Sequence, residues 1–306
     1  MKALVISGGG SKGAFAGGIA EYLIRDCCAS YDLFVGSSTG SLLLPHLALG
    51  KIDTIKTIYT SVTQESIFNI CPFKIKKTAK GFETKINHFN TLRTFLKKSA
   101  TFGESENLRS LIKKNVTEED FKALNESDKK VIVAVSNLTE DKAEYINSKQ
   151  HNREDFCDWL WASCNFIPFM SLFTKDGKQY ADGGFGSFIP ILCAIENGAT
   201  DIDVIILDNE FTTKWNKSVT NPFSLLLRTF RFMNTQNISK DLIIGKLVGL
   251  NKKVNINFYY TPRQLTDNPL IFDTQQMTQW WQEGYAFAKA KNPVSFCHLP
   301  STVSKN

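Results

Sequence analysis

The sequence holds no run of the roughly eighteen apolar residues that a helical membrane span requires. A membrane-spanning role is therefore not expected. Its opening, MKALVISGGG, carries one lysine and four apolar residues ahead of three glycines, too few for the core of a secretion signal and better suited to a short buried strand. The seven cysteines are scattered, odd in number and without CxxC spacing. That usage argues against a disulfide framework or a metal site and for reduced thiols in a cytoplasmic setting. Cys27 and Cys28 read as small packing residues. Only four histidines occur, His46, His88, His151 and His298, so chemistry resting on imidazole has few candidates. Internal repeats, low-complexity tracts and obvious linkers are also missing.

What remains is the composition of a folded protein. Apolar residues make up 42% and charged residues 22% of 306, close to globular averages and enough for one large core or two modest ones. Strand-like and helix-like segments alternate from the start: KALVIS, then SKGAFAGGIAEYLIRD with Phe15, Ile19 and Leu23 at four-residue steps, then YDLFVG, then TGSLLLPHLALG. Pro45 should kink or delay that last helix and Gly50 should end it. KKVIVAVSNL, REDFCDWLWASCNF, KQYADGG, PILCAIENGA and DIDVIILD continue the pattern. It predicts an α/β domain of three layers with a largely parallel sheet, ending near Asp208. Beyond Thr212 the pattern turns helical and aromatic, so residues 209–306 are expected to form a mainly helical extension packed on residues 1–208. Met277, Trp281, Tyr285 and Ala288 share one stripe there, a packing face.

The net charge of +6 is unevenly placed. Lys74 to Lys98 holds eight basic residues against Glu83, and Lys214 to Lys253 eight against Asp241. Nucleic acid, an anionic membrane or plain solvation could each explain such segments. NPFSLLLRTFRFMN favours a membrane surface over nucleic acid, because Phe223, Leu226, Leu227, Phe230 and Met233 recur at helical spacing beside Arg228 and Arg231. A core helix with basic ends would carry the same pattern. The stretch from about Asn69 to Thr101, polar and weakly periodic, reads as an inserted, mobile region.

Three short motifs carry the chemistry. Gly36-Ser37-Ser38-Thr39-Gly40 fits Gly-x-Ser-x-Gly between a predicted strand and a predicted helix, the setting of a nucleophile elbow with Ser38 at its tip. Gly36 and Gly40 flank it because a Cβ there would meet the neighbouring chain. GGGSKG, from Gly8 to Gly13, follows the first strand and opens the first helix, so its amides can converge on an anion. A dinucleotide loop would need an acid ending the next strand, where FVGSS stands instead, and a Walker loop would need Gly-Lys-Ser/Thr. An oxyanion hole built from Gly9, Gly10 and Ser11 is the remaining reading. Asp182 ends a strand before Gly183 and Gly184, whose turn lets its carboxylate reach a serine nearby. An unperturbed aspartate is a weak base, so burial must raise its basicity. A histidine triad in the order Ser38, Asp182, His298 is disfavoured, since only one strand precedes the elbow.

Taken together, GGGSKG, GSSTG and DGG resemble the patatin-like phospholipases, Ser-Asp dyad lipid acyl hydrolases, over residues 3 to 208. WASCNFIPFM resembles the segment that family places before its aspartate strand, and Lys12 stands at the basic position of its glycine loop. The resemblance implies Ser38 as nucleophile, Asp182 as base and Gly8, Gly9, Gly10, Ser11, Lys12 and Gly13 as oxyanion hole. It implies a phospholipid or other acyl-lipid substrate, no metal or other cofactor, and a patatin-like fold. Ser41 and Pro45 depart from the family pattern and bear on the shape of the acyl pocket. Two alternatives stay open: hydrolysis of soluble esters or thioesters, and a non-catalytic lipid-binding or regulatory protein of the same fold.

Overall fold

The computed structural model describes residues 1–78, 81–210, 218–219, 221–290 and, for the backbone alone, 294–295. In chain order the elements are β1 (Lys2–Ile6), α1 (Gly13–Arg25), β2 (Leu33–Ser37), α2 (Thr39–Ala48), α3 (Ile52–Ser61), α4 (Gln64–Ile67), β3 (Phe73–Thr78), β4 (Gly81–Ile86), α5 (His88–Leu96), α6 (Glu106–Asn115) and α7 (Glu118–Glu126). They continue as β5 (Lys130–Asn137), β6 (Lys142–Asn147), α8 (Arg153–Ser163), β7 (Phe173–Lys175), β8 (Lys178–Asp182), α9 (Ile191–Glu196), β9 (Asp201–Asn209), α10 (Pro222–Lys252), β10 (Asn255–Thr261), α11 (Thr274–Ala290) and β11 (Val294–Ser295).

Strands β10, β9, β1, β2 and β5 lie side by side and run parallel. Their near-continuous apolar runs suit strands covered on both faces. Alternate residues divide two cores: Leu4, Ile6, Phe34 and Val133 pack with α1, α2, α8 and α11, whereas Ala3, Val5, Val35 and Ile132 pack with α9 and Ile238 of α10. A three-layer arrangement follows.

The sheet becomes antiparallel at β5, and this change positions the site. β6 pairs with β5 from Ile132 to Asn137, while β8 pairs with Val135 to Asn137. Because β6 occupies one edge of β5 along that stretch, β2 and β8 share the other edge and meet end to end. Ser37 lies opposite Ala134, and Asp182 lies opposite the next residue, Val135. The residue after β2 is thereby set beside the last residue of β8.

Several sequence expectations change. The sheet continues past Asp208, since β10 adds a parallel strand with Asn255 to Tyr260 in register with Asp201 to Ile206. This stretch falls in the part expected to be mainly helical, yet Asn255 and Asn257 donate to Asp201 and Asp203 on the next strand. The inserted stretch, expected to be mobile, forms the hairpin β3–β4 and helix α5. Backbone and side-chain bonds from Asn87 to Pro72 and from Asn90 to Cys71 tie that helix to the hairpin's base. Helix α2 runs through Pro45 without interruption, and Cys27 and Cys28, read from the sequence as small buried side chains, are exposed.

Helix α11 lies along α1 at a separation that glycine permits. A Cβ on Gly18 would stand 2.0 Å from the Trp281 carbonyl oxygen, and one on Gly284 would stand 2.1 Å from that of Phe15. Trp281 is fully buried and its indole N–H donates to Glu21 at 2.5 Å. Met277 and Ala288 are buried on the same stripe, and the half-buried Tyr285 donates its hydroxyl to Asp26. Trp281→Ala should cost about 3–5 kcal/mol by opening a cavity, while Glu21 keeps its bonds from Lys56 and Arg25. Urea denaturation midpoints of the two proteins measure it.

Candidate active site

Ser38 sits between β2 and α2 with φ 52° and ψ −128°, a strained conformation for a residue bearing a Cβ. The strain is held from three sides. The Ser41 N–H donates to the Ser38 carbonyl at 2.9 Å, and the Ser38 N–H donates to Ser163 Oγ at 2.9 Å. Ser163 in turn donates to the Ala134 carbonyl at 2.7 Å and pairs with Ser41 Oγ at 2.9 Å. The bracketing glycines are matters of space. A Cβ on Gly40 would lie 2.3 Å from the Ile6 carbonyl oxygen, and one on Gly36 would lie 2.8 Å from the Gly40 carbonyl carbon.

From this turn the Ser38 hydroxyl donates directly to Asp182 Oδ2 at 2.6 Å. Both side chains are buried, at 8% and 5% exposure. The other carboxylate oxygen, Oδ1, accepts the Gly184 N–H at 2.8 Å, so the turn after β8 folds back on its own acid. Burial pushes the Asp182 carboxyl up to about 7, and the bonds from Ser38 and Gly184 only partly offset that rise. Its backbone is equally fixed: the Asp182 carbonyl accepts from Ser136 Oγ and its N–H donates to the Asn165 carbonyl. Asn237 on α10 donates to the carbonyl of Phe185 in the same turn.

The glycine loop faces this pair across β1. Gly8 donates its N–H to the Phe188 carbonyl, Ser11 to the Pro269 carbonyl and Lys12 to the Gly9 carbonyl, and the Gly13 N–H caps the turn on Gly10 and Ser11. The N–H groups of Gly9 and Gly10 have no hydrogen-bond partner among the described residues, and both residues line the cavity in front of Ser38. Six residues expected to share one role thus divide in two. Gly8 and Ser11 have amides anchored on Phe188 and Pro269, and Lys12 and Gly13 have amides bonded within the loop, which leaves Gly9 and Gly10 open. Gly10 also has φ +57°, and a Cβ there would meet the Pro269 carbonyl oxygen at 2.3 Å. The Lys12 ammonium turns away to bond the Leu207 carbonyl, and burial lowers its pKa.

The cavity measures about 150 Å³ and is walled mainly by apolar side chains. Leu42, Ile55, Tyr59, Leu108 and Leu160 line it, and Pro269, Leu270, Phe272 and Met277 close it from the last third of the chain. His46 reaches its wall but donates from Nε2 to the Asn115 carbonyl and makes no bond to Ser38. His151 pairs with Asp155 and His88 is exposed at the start of α5, while His298 lies outside the described residues. Ser163, Ser136 and Asn237 carried no signal of their role in the sequence. Ser163 lies within WASCNF, where a hydroxyl on an otherwise apolar helix end was the only hint.

A strained serine turn beside a buried carboxylate on a mostly parallel α/β sheet defines an acyl-hydrolase architecture. The sequence model of the Patatin family, patatin-like phospholipase, matches residues 4–195, and the chain belongs to that family. Among solved structures it is similar to VipD from Legionella pneumophila, at 13% identity with a TM-score of 0.50 over 94% of this chain. This chain spans 66% of the VipD chain, so the likeness concerns the fold alone. No curated protein sequence matches the chain.

The raised pKa of Asp182 has a stability consequence. Its protonated form is favoured in the folded state, so its contribution is fully present below pH about 4 and lost as pH rises through about 7. Asp182→Asn stays neutral throughout, so it should stabilise the fold at pH 8 by up to about 4 kcal/mol, and by almost nothing at pH 4. Melting temperatures of both proteins across that range test the sign.

Proposed function

We propose that this chain hydrolyses carboxylic esters of lipids, in the manner of a phospholipase A or lysophospholipase. The observation that carries the reading is the 2.6 Å bond from the strained Ser38 hydroxyl to the buried Asp182 carboxylate, facing an apolar cavity. In the proposed reaction Ser38 Oγ attacks the ester carbonyl while its proton passes to Asp182 Oδ2. The carbonyl oxygen, now negative, is met by the N–H groups of Gly9 and Gly10. Collapse expels the alcohol, which takes the proton from Asp182, and leaves Ser38 acylated. Water, deprotonated by the same carboxylate, then releases the fatty acid.

Burial supports Asp182 in this role, because a carboxylate near pH 7 accepts a proton far more readily than an ordinary one. The apolar walls suit an acyl chain. The basic segments would hold the protein on an anionic membrane, each cation near the surface adding about 1 kcal/mol. Among the described residues no helix is long and apolar enough to cross a membrane, so contact from one side is the geometry proposed. The described cysteines are free, which supports a reducing compartment.

A fluorophosphonate probe should label Ser38 in the native protein and fail on Ser38→Ala. Ser38→Ala and Asp182→Ala should each lower lipid ester hydrolysis at least about a thousandfold. Labelling at another residue, or turnover that survives Ser38→Ala, removes the reading. For the native protein kcat/KM should rise with pH through an apparent pKa of about 7, because only the ionised carboxylate can take the proton.

A further inference from the structure

Helix α5 is inverted for a helix exposed to water. Thr91 and Thr94 face inward and are buried, the Thr94 hydroxyl donating to the Thr91 carbonyl and the Thr91 hydroxyl lacking a partner. Phe89, Leu92, Phe95 and Leu96 are instead 73%, 58%, 62% and 77% exposed. At 100° per residue these four cover an arc of roughly 120° opposite the threonines. Soluble proteins seldom leave contiguous apolar surface of this kind unless something covers it.

The charge beside that surface identifies what covers it. Arg93 and Lys97 border the arc, Lys98 follows it, and the hairpin leading in exposes Lys74, Lys76 and Lys85. None of these six forms an ion pair among the described residues, whereas Lys77 of the same hairpin pairs with Asp273. An apolar stripe rimmed by unpaired cations is suited to the headgroup boundary of an anionic bilayer. A second copy of the same face would set these cations against one another.

Position links the helix to the site. Phe95 touches Phe102, Phe102 touches Phe169 and Phe169 stacks on Phe166, each at 6.2 Å between ring centroids. Phe166 lines the cavity in front of Ser38. The stripe of α10 singled out in the sequence is mostly turned inward: Phe223, Leu226, Leu227 and Phe230 are half-buried, Phe223 and Phe230 packing on Phe73, Phe166 and Phe169, and Met233 is exposed.

We propose that α5 is the lipid-docking helix of this protein. Phe89, Leu92, Phe95 and Leu96 enter an anionic bilayer, Arg93 and Lys97 lie against lipid phosphates, and the cavity mouth is brought to the surface that holds the substrate. The inference rests on the acyl-lipid reading of the same site.

Two double substitutions in the full chain test it, Leu92→Asp with Leu96→Asp and Arg93→Glu with Lys97→Glu. Binding is measured by sedimentation with vesicles of phosphatidylcholine containing about 30 mol% phosphatidylserine, using Ser38→Ala protein so that hydrolysis does not consume them. Both variants should bind at least about tenfold more weakly than their parent, with unchanged melting temperature. With Ser38 intact, hydrolysis of a water-soluble short-chain ester should stay within about twofold. Unchanged vesicle binding in both variants overturns the proposal, as does light scattering that finds a dimer which Leu92→Asp with Leu96→Asp converts to monomer. A protein that binds vesicles through Leu92 and Leu96 but hydrolyses no ester upholds the docking face and removes only the hydrolase reading.

Discussion

The site depends on a carboxylate kept in a place where its charge is poorly solvated. Among the described residues Asp182 has one hydroxyl and one amide as its acid's partners and no cation against it. Water would supply several hydrogen bonds, so the fold holds this group at a cost that packing elsewhere must offset. The compensation is visible in the framework. Two strands abut end to end on β5, Ser136 and Asn165 fix the backbone of Asp182, and Ser163 fixes that of Ser38. Neither partner can relax away from the other without breaking the sheet.

The same economy governs the glycine loop. The amides of Lys12 and Gly13 shape the loop itself, those of Gly8 and Ser11 are anchored outside it on the carbonyls of Phe188 after β8 and Pro269 beyond β10, and the Lys12 ammonium is anchored on the Leu207 carbonyl at the end of β9. The amides of Gly9 and Gly10 are left over among the described residues, and in the proposed reaction they would meet the oxygen that develops charge. Preorganised donors of this kind do not reorient during a reaction, which is why they are effective in a water-poor cavity.

Much of this was legible in the sequence because the signals were local. A strand, a glycine cluster and a helix are dictated by adjacent residues, so β1, α1, β2 and α2, Ser38 within its elbow, and Asp182 before its glycines could all be placed. What was not legible depends on pairing across the chain. Nothing in KQYADGG says that β8 runs antiparallel and meets β2 head-on. NINFYYT carries strand-forming Ile256, Phe258, Tyr259 and Tyr260, but its place in the sheet rests on pairing with β9, where its asparagines find their partners. Ser41 looked like a departure from the family pattern and proves to share the bond network of Ser163. The polarity of α5 was hidden for the opposite reason, because sequence periodicity shows that a helix has two faces without showing which one turns inward.

The bond from Ser11 to the Pro269 carbonyl joins the beginning of the chain to its last third. The family match ends at residue 195, but the anchor and one wall of the cavity come from residues 269 to 277. The candidate site therefore extends beyond the residues that the family match covers. A transplant or circular permutation that cut the chain at the edge of the recognisable motif would carry the reactive groups away without the scaffolding that aims them.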